Sequence, residues 1–279
     1  MINAAKVKKI LVMRNDRFGE FLLILPSLRA LQETFPHASL SLIVAPAVKP
    51  LAECVEKIDK IITWENKRHS LRDVLGFAKQ LKEQEFDLCV IFNPNKELHI
   101  LSFLSRIPVR VGYGRKWGFL LTHKIKDNKA LGLKHEVEYN LDLVGLIGAK
   151  TNDKSISLIN LPLTEHIVYA GYIAVHPYTS DKLKQWPVER FIELAQRLAR
   201  ELGLKVVVVG LVQDGVDAHQ GRTTGIEEFA SPGENIINML NKTSLVGLAT
   251  LLKRCRLLIS GDSGPVHLAA AVGTPVVAL

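Results

Sequence analysis

The sequence predicts an α/β protein of two Rossmann-type domains that face each other across a cleft. Three observations predict this class. Apolar runs of strand length alternate with longer segments of helical period along most of the chain. The alternation stops in a polar stretch at residues 148–166, which contains Pro162, and then starts again. The length of 279 residues is also enough for two domains of ordinary size.

In the first half, short apolar runs predict parallel strands and periodic segments predict helices. The predicted strands are residues 9–14, 40–45, 58–64, 87–92 and 109–111. The predicted helices are residues 20–35, 48–55, 71–85, 96–105 and 135–146. In the predicted helix at residues 71–85, one face is expected to be buried, and it carries Leu71, Val74, Leu75, Ala78 and Leu81. Residues 112–134 are predicted to form an irregular basic loop that carries Tyr113, Trp117 and Phe119.

The second half repeats the pattern. Its predicted strands are residues 172–176, 205–210, 236–240, 257–259 and 276–279, and its predicted helices are 187–202, 244–253 and 266–272. No element is predicted for the polar, glycine-rich residues 211–233. The last strand has no loop or helix after it, so we expect a fragment or a truncated domain. The predicted domains are residues 1–160 and 161–279, the second of them incomplete.

The charge, the cysteines and the apolar runs of the sequence limit the kinds of partner and the location that can be expected. The formal net charge of +8 indicates nucleic acid, an anionic membrane face or an anionic small substrate as partner, or simply a solvated basic surface. Nucleic acid is the least favoured, because no nucleic-acid-binding motif is present. The three cysteines form no C-x-x-C pair, which indicates a reducing compartment. No apolar stretch reaches the ~20 residues of a membrane span, so a cytoplasmic location is expected.

Three loops between a strand and a helix contain groups that could act chemically. The first, R-N-D-R-F-G-E, holds Asp16 and Glu20 as candidate general bases, with Gly19 expected to allow a sharp turn. The alternative is that both carboxylates only complement the helix dipole. The segment is not G-x-G-x-x-G, and this fingerprint is absent from the sequence, which disfavours a Rossmann oxidoreductase.

The second loop is H-P-Y-T-S-D-K-L-K-Q-W-P. Thr179 and Ser180 offer hydroxyl groups, and Lys182 and Lys184 offer the positive charge that a departing diphosphate needs. The alternative is an ordinary polar loop in which Trp186 fills a gap in the core.

The third loop, S-G-D-S-G-P-V-H, joins a buried strand to an apolar helix. Asp262, Ser263 and Gly264 lie at the predicted helix N-terminus, where unpaired N–H groups and the helix dipole suit a phosphate. Here the alternative is that Asp262 and Ser263 only cap the helix. His267 is a candidate binding residue, or else a core histidine.

These loops resemble those of the heptosyltransferases of glycosyltransferase family nine, enzymes that attach heptose to the lipopolysaccharide core. The resemblance lies in four blocks that run in family order across nearly the whole chain: R-N-D-R-F-G-E-F-L-L-I-L-P-S-L-R-A-L from Arg14, H-E-V-E-Y-N-L-D-L-V at 135–144, K-Q-W-P at 184–187 and S-G-D-S-G-P-V-H-L-A-A-A-V-G-T-P from Ser260. It implies a GT-B fold and an inverting transfer from a nucleotide-activated sugar, typically ADP-heptose, with no cofactor and no obligatory metal.

The resemblance also implies roles for single residues. Glu20 falls where the family usually has an aspartate proposed as the catalytic base, and Asp16 is its rival. Lys184 matches the lysine that faces the diphosphate. The resemblance further assigns Thr179 and Ser180 to the phosphate-contacting loop and Asp262, Ser263 and Gly264 to the donor diphosphate segment.

The expected acceptor is an anionic lipid-linked saccharide at the inner membrane face, where peripheral contact through residues 112–134 is expected. The family normally continues past Leu279 with a glycine-proline-threonine loop and a helix. This missing segment and the change at Glu20 leave a second hypothesis open, a non-catalytic nucleotide-sugar-binding protein.

Overall fold

A computed structural model describes residues 2–158, 160–162, 170–179, 184–210 and 235–279. These residues form two compact units, Met1–Ile156 and Ser157–Leu279, which divide near the predicted boundary at residue 160. Each unit contains one sheet, and every strand pairing in both sheets is parallel. The predicted class, α/β with two parallel sheets, is confirmed. Ser180, Lys182 and the predicted segment 211–233 lie outside the described residues.

The sheet of the first unit has the strand order β3-β2-β1-β4-β5-β6. Its strands are β1 Lys9–Arg14, β2 Ser39–Val44, β3 Lys60–Thr63, β4 Leu88–Ile91, β5 Val109–Tyr113 and β6 His123–Ile125. The apolar residues of the central strands β1 and β4 are buried, as expected when helices cover both faces of a parallel sheet. The chain order reverses between β1 and β4. Loops after two such strands part in opposite directions and leave a crevice, the usual ligand site of open α/β sheets.

The helices of the first unit are α1 Phe18–Leu22, α2 Leu25–Thr34, α3 Lys49–Ala52, α4 Leu71–Lys82, α5 Lys96–Leu104 and α6 Glu136–Gly145. The prediction of one helix over residues 20–35 is wrong, because α1 and α2 are separate. Pro26 has no N–H to donate to the carbonyl of Leu22, and its ring crowds that carbonyl. The buried Asn140 of α6 donates from Nδ2 to the Leu23 carbonyl at 3.2 Å, so this carbonyl at the break has a partner.

Two further predictions for this unit need correction. The buried face of α4 is Val74, Phe77, Ala78 and Leu81, whereas Leu71 and Leu75 are exposed. Residues spaced i, i+3, i+4 and i+7 form one stripe on a helix, and here the sheet lies under the stripe that contains Phe77. The segment 112–134 is not irregular throughout, because β5 extends to Tyr113 and β6 follows as an edge strand.

The second unit has the strand order β11-β10-β7-β8-β9, which reverses between β7 and β10. Its strands are β7 Ile173–His176, β8 Val206–Val208, β9 Ile236–Asn238, β10 Leu257–Ser260 and β11 Val276–Ala278, and its helices are α7 Val188–Glu201, α8 Leu245–Arg254 and α9 Gly264–Ala271. Trp186 packs on the core with its ring edge-on to Phe191 at 4.9 Å, as one of the alternatives predicted. Among the described helices, none is both long enough and apolar enough to cross a bilayer.

Candidate functional site

The predicted loops lie where the strand order of each sheet reverses, one loop in the first unit and two in the second. In the first unit, Arg14 is the buried last residue of β1. Its Nε donates to Asp16 Oδ1 at 2.7 Å, and its Nη2 donates to the carboxylate of Glu20. Its Nη1 donates to the Phe92 carbonyl at 3.4 Å, just after β4. One buried guanidinium therefore fixes both candidate bases at the reversal point.

Two members of this cluster were not predicted from the sequence. One is Arg14 itself, and the other is Glu136 in the first turn of α6, whose Oε1 lies 4.0 Å from Arg14 Nη1. Lys129 pairs with Glu136 and lies 4.4 Å from the centre of the Tyr113 ring. The sequence did contain one signal that pointed to Glu136. The block at residues 135–144 is part of the family resemblance, but the resemblance assigned no role to any side chain in it.

The two carboxylates differ in exposure and in electrostatic setting. The side chain of Glu20 is 42% exposed and that of Asp16 is 23% exposed. Burial raises the pKa of Asp16, Arg14 lowers it in part, and the neighbouring Glu20 raises it. A carboxylate with a raised pKa binds a proton more readily near neutral pH. The predicted sharp turn at Gly19 is wrong, because Gly19 lies buried within α1.

A cavity of about 580 Å³ opens beside this cluster within the first unit. Its volume falls in the ordinary range for small-molecule sites, about 300–1,000 Å³. Asn15, one of its lining residues, is held in place because it donates to the Trp64 carbonyl and accepts from Asn93. The cavity is lined by Asn15, Asp16, Arg17, Glu20, Ala45, Pro46, Ala47, Glu65 and Asn66. A small molecule in this cavity would therefore lie beside the carboxylates of Asp16 and Glu20.

In the second unit, the loops after β7 and β10 meet through an ion pair. Lys184 Nζ lies 2.5 Å from Asp262 Oδ2, and both side chains are exposed. Ser263 is the N-cap of α9, but its side chain makes no capping hydrogen bond. The hypothesis that Asp262 and Ser263 only cap the helix is therefore not supported. Helix α9 begins at Gly264, earlier than predicted, because Pro265 suits the first turn.

A buried polar network supports this turn from below. His176, at the end of β7, places Nδ1 3.1 Å from Ser260 Oγ and 3.3 Å from Ser263 Oγ. Ser260 Oγ donates to the Gly261 carbonyl at 2.9 Å. A Cβ on Gly261 would lie 3.3 Å from the Lys184 carbonyl, so a residue without a side chain lets the two loops approach closely. The predicted site residues Lys184, Asp262, Ser263 and Gly264 are thus brought together.

Two further predicted site residues in the second unit are Thr179 and His267. Thr179 N–H donates to Gln185 Oε1 at 2.9 Å, and Gln185 Nε2 donates to the Pro177 and Trp186 carbonyls, so Gln185 shapes this loop. His267 is partly exposed on α9 rather than buried in the core. In the part of the chain that the structure describes, no three His, Cys, Asp or Glu side chains form a group that could hold a metal ion.

The buried His176 predicts a pH dependence of stability in the second unit. Burial lowers its pKa to about 4, below the ~6.5 of an unfolded histidine. Between these values the unfolded state binds the extra proton, so the free energy of unfolding decreases as the pH falls from ~6.5 to ~4, by about 3 kcal/mol. We expect His176→Asn to remove most of this dependence.

Native-state hydrogen exchange of β7 and β10, corrected for intrinsic rates, measures this stability. The exposed His37→Asn serves as the matched control and should keep the wild-type dependence. An unchanged pH dependence in His176→Asn would show that His176 is not the titrating group.

Two solved structures from E. coli share this fold over 97% of the chain. One, ADP-heptose lps heptosyltransferase II, has a TM-score of 0.77 at 22% identity, with 84% of its own length covered. The other, heptosyltransferase WaaC with ADP-2-deoxy-2-fluoro heptose, has a TM-score of 0.74 at 20% identity, with 88% covered. The fold is that of the GT-B-type heptosyltransferases.

Residues 74–279 match the profile of glycosyltransferase family 9 (heptosyltransferase). The lipopolysaccharide core heptosyltransferase OpsX of Haemophilus influenzae is 23% identical over 98% of this chain and 78% of its own length. The chain belongs to glycosyltransferase family 9 and is a glycosyltransferase, as the four sequence blocks predicted.

Proposed function

We propose that this protein transfers a heptose or a related sugar from an ADP-sugar to a lipopolysaccharide core acceptor in one inverting step. The observation that carries the proposal is the position of two different groups at the two reversal points. A carboxylate pair held by Arg14 lies at one, and Lys184 with the start of α9 lies at the other. The first group suits removal of a proton and the second suits a departing diphosphate.

In this proposal Glu20 accepts the proton from the acceptor hydroxyl. Its carboxylate is the more exposed of the two and lines the cavity. Arg14 fixes the orientation of this carboxylate, and Asp16 shares the same guanidinium. The oxygen that loses its proton attacks the anomeric carbon, and the bond from that carbon to the diphosphate breaks on the opposite face. Proton removal by a positioned carboxylate contributes a factor of about 10² to 10⁴.

Lys184 neutralises the charge that builds on the leaving diphosphate. The N–H groups at the start of α9 and the helix dipole add positive potential beside it. Asp262 keeps the Lys184 ammonium group at the turn, and the His176 network keeps Ser263 in place. Groups that are fixed before the reaction need no reorganisation as the charge develops. Thr179, Ser180 and His267 are proposed as further contacts to the donor.

The donor and the acceptor are proposed from the relatives. WaaC was solved with ADP-2-deoxy-2-fluoro heptose, and OpsX is named as a core heptosyltransferase. We infer by analogy that the donor here is ADP-heptose and that the acceptor is an anionic lipid-linked saccharide. Such an acceptor places the enzyme in the cytoplasm at the inner membrane face, with residues 112–134 near the lipid. The first unit is proposed to bind the acceptor and the second the donor.

One observation favours the second candidate, a nucleotide-sugar-binding protein without turnover. Both candidate bases already hydrogen-bond to Arg14, so each carboxylate would have to rearrange these bonds to accept a proton from a substrate hydroxyl. Incubation of the full chain with ADP-heptose and a heptose-deficient core acceptor separates the two candidates. Transfer predicts a product heavier by one heptose, with the anomeric configuration inverted by NMR. ADP-heptose binding without product on any core acceptor would favour the binding protein.

A further inference from the structure

The first unit carries large apolar side chains on its surface that the core does not use. On α4, Leu71 is 73% exposed and Leu75 is 49% exposed, although the sequence pattern predicted both as buried. Phe103 near the end of α5 is exposed as well. The 3-10 turn Gly118–Leu120 adds Phe119, which is 71% exposed, and Trp117 just before it is also exposed. Single exposed apolar residues are common, but this number on three neighbouring elements indicates an interaction surface.

These elements form one face. The buried residues of α4 and α5 belong to the same core cluster, so both helices cover the same side of the sheet. The two helices pack on each other, and α5 packs on the turn at Gly118–Leu120. The outward surfaces of α4, α5 and this turn therefore adjoin each other. We call them the α4–α5 face.

Cations are interleaved with these apolar groups. Lys96 Nζ lies 5.9 Å from the Trp117 ring centre, and the Arg110 guanidinium lies 5.6 Å from that of Phe103. Asp73, an acid at the start of α4, hydrogen-bonds with Ser70 in the capping box. Further exposed cations on these elements and their connections are Arg72, Lys79, Lys82, Arg106, Arg115 and Lys116, whereas the exposed acids besides Asp73 are Glu83 and Glu85, which follow α4. The face therefore carries more cations than acids.

The fold holds Trp117 in this exposed position. Lys116 and Trp117 both have a left-handed backbone, with φ of 48° and 73°, which is unfavourable for residues with a side chain. The carbonyl of Lys116 is 2.9 Å from Nδ1 of the buried His99 on α5. Gly118 fits against the Tyr113 carbonyl, where a Cβ would approach to 3.2 Å. These contacts stabilise a turn that presents an indole to solvent.

We propose that the α4–α5 face docks on an anionic lipid bilayer, with Trp117 and Phe119 entering the interface between headgroups and acyl chains. Aromatic residues favour this interface, and each lysine or arginine near an anionic leaflet strengthens attachment. A second copy of the chain is disfavoured as the occupant, because self-pairing would bring these cations together. The inference deepens the proposed function by assigning the surface through which a lipid-linked acceptor is approached.

Co-sedimentation with vesicles tests the proposal and needs no turnover, so its failure would leave glycosyl transfer untouched. We expect the full chain to bind vesicles that contain phosphatidylglycerol and not vesicles of phosphatidylcholine alone. Binding should weaken as salt rises, because exposed charges are screened. Trp117→Asn with Phe119→Ser, and separately Leu71→Ser with Leu75→Gln, should each lower vesicle affinity by on the order of tenfold or more. Asparagine is chosen at position 117 because it tolerates the left-handed backbone.

Leu202→Ser is the matched control, because Leu202 is exposed to a similar degree on the second unit and should not affect binding. Equal binding to both vesicle types, or loss in the Leu202 variant equal to that in the others, would overturn the proposal. So would unchanged binding in both double variants. Concentration-dependent dimerisation that these variants abolish would assign the face to a second copy instead.

Discussion

Replacing Lys184 with alanine is expected to lower kcat for glycosyl transfer by about 10²- to 10³-fold while leaving the fold intact. This is the size of effect that follows when one preorganised group is removed from a developing negative charge. The side chain is exposed at the turn and contributes nothing to the buried core, so stability should change little. Steady-state kinetics with saturating donor and acceptor measures kcat, and circular dichroism checks the fold. Near-normal kcat would remove this lysine from the mechanism.

Part of the loss could arise from Asp262, since the alanine variant leaves that carboxylate without the lysine beside an anionic donor. The double variant Lys184→Ala/Asp262→Asn separates the two effects. If the lysine acts on the diphosphate, the double variant stays slow, whereas recovery to within a few-fold of wild type would assign the loss to repulsion by Asp262. Lys154→Ala is the matched control, because Lys154 is exposed and also pairs with a carboxylate, Glu138, at 3.0 Å. The Lys154→Ala variant should keep full activity.

The second large effect is expected at the carboxylate pair. Glu20→Gln keeps the shape of the side chain and removes its ability to accept a proton, so kcat should fall by about 10²- to 10⁴-fold. ADP binding, measured by calorimetry, should stay within a few-fold of wild type, because the donor site is assigned to the other unit. Glu56→Gln, at an exposed carboxylate of the first unit, is the control. Loss of ADP binding in Glu20→Gln would contradict this assignment.

Asp16→Asn decides between the two carboxylates. If Glu20 is the base, Asp16→Asn should cost clearly less than Glu20→Gln, and the reverse order would make Asp16 the base. The pH profile gives a second readout. Burial raises the pKa of Asp16, so a mechanism that used Asp16 would lose rate on acidification at a higher pH than an ordinary aspartate would. As the pH falls, a larger fraction of Asp16 is protonated and cannot accept a proton, so the rate decreases.

Much of the fold could be predicted because the buried strands of a parallel sheet read as continuous apolar runs. The predicted strand at residues 9–14 has the observed bounds. The helix predicted over residues 244–253 is observed at Leu245–Arg254, and Ser244 Oγ caps it by accepting a hydrogen bond from Gly247 N–H at 3.0 Å. The break between α1 and α2 was missed because apolar residues keep their helical spacing on both sides of Pro26. Strand β6 was missed because it has only three residues, two of them polar, and such a segment carries almost no strand signal.

The candidate site was predicted where it depends on local motif and missed where it depends on tertiary contacts. Asp16 and Lys184 lie in loops and Glu20 lies in the first turn of α1, and the residue types of these segments already indicated chemistry. Arg14 reads as the ordinary polar end of a strand, and its contacts with the Phe92 carbonyl and with Glu136 arise only from tertiary packing. The burial of His176 likewise depends on β10, 84 residues further along the chain.

We expect the donor diphosphate to bind at Lys184 and the start of α9. A crystal structure with ADP-2-deoxy-2-fluoro heptose, which resembles the proposed donor, is the sharpest test of this expectation. Diphosphate oxygens should lie within hydrogen-bond distance of Lys184 Nζ and of the backbone N–H groups at Ser263 and Gly264. A donor analogue bound elsewhere on the chain, and not at this turn, would overturn the proposed donor site.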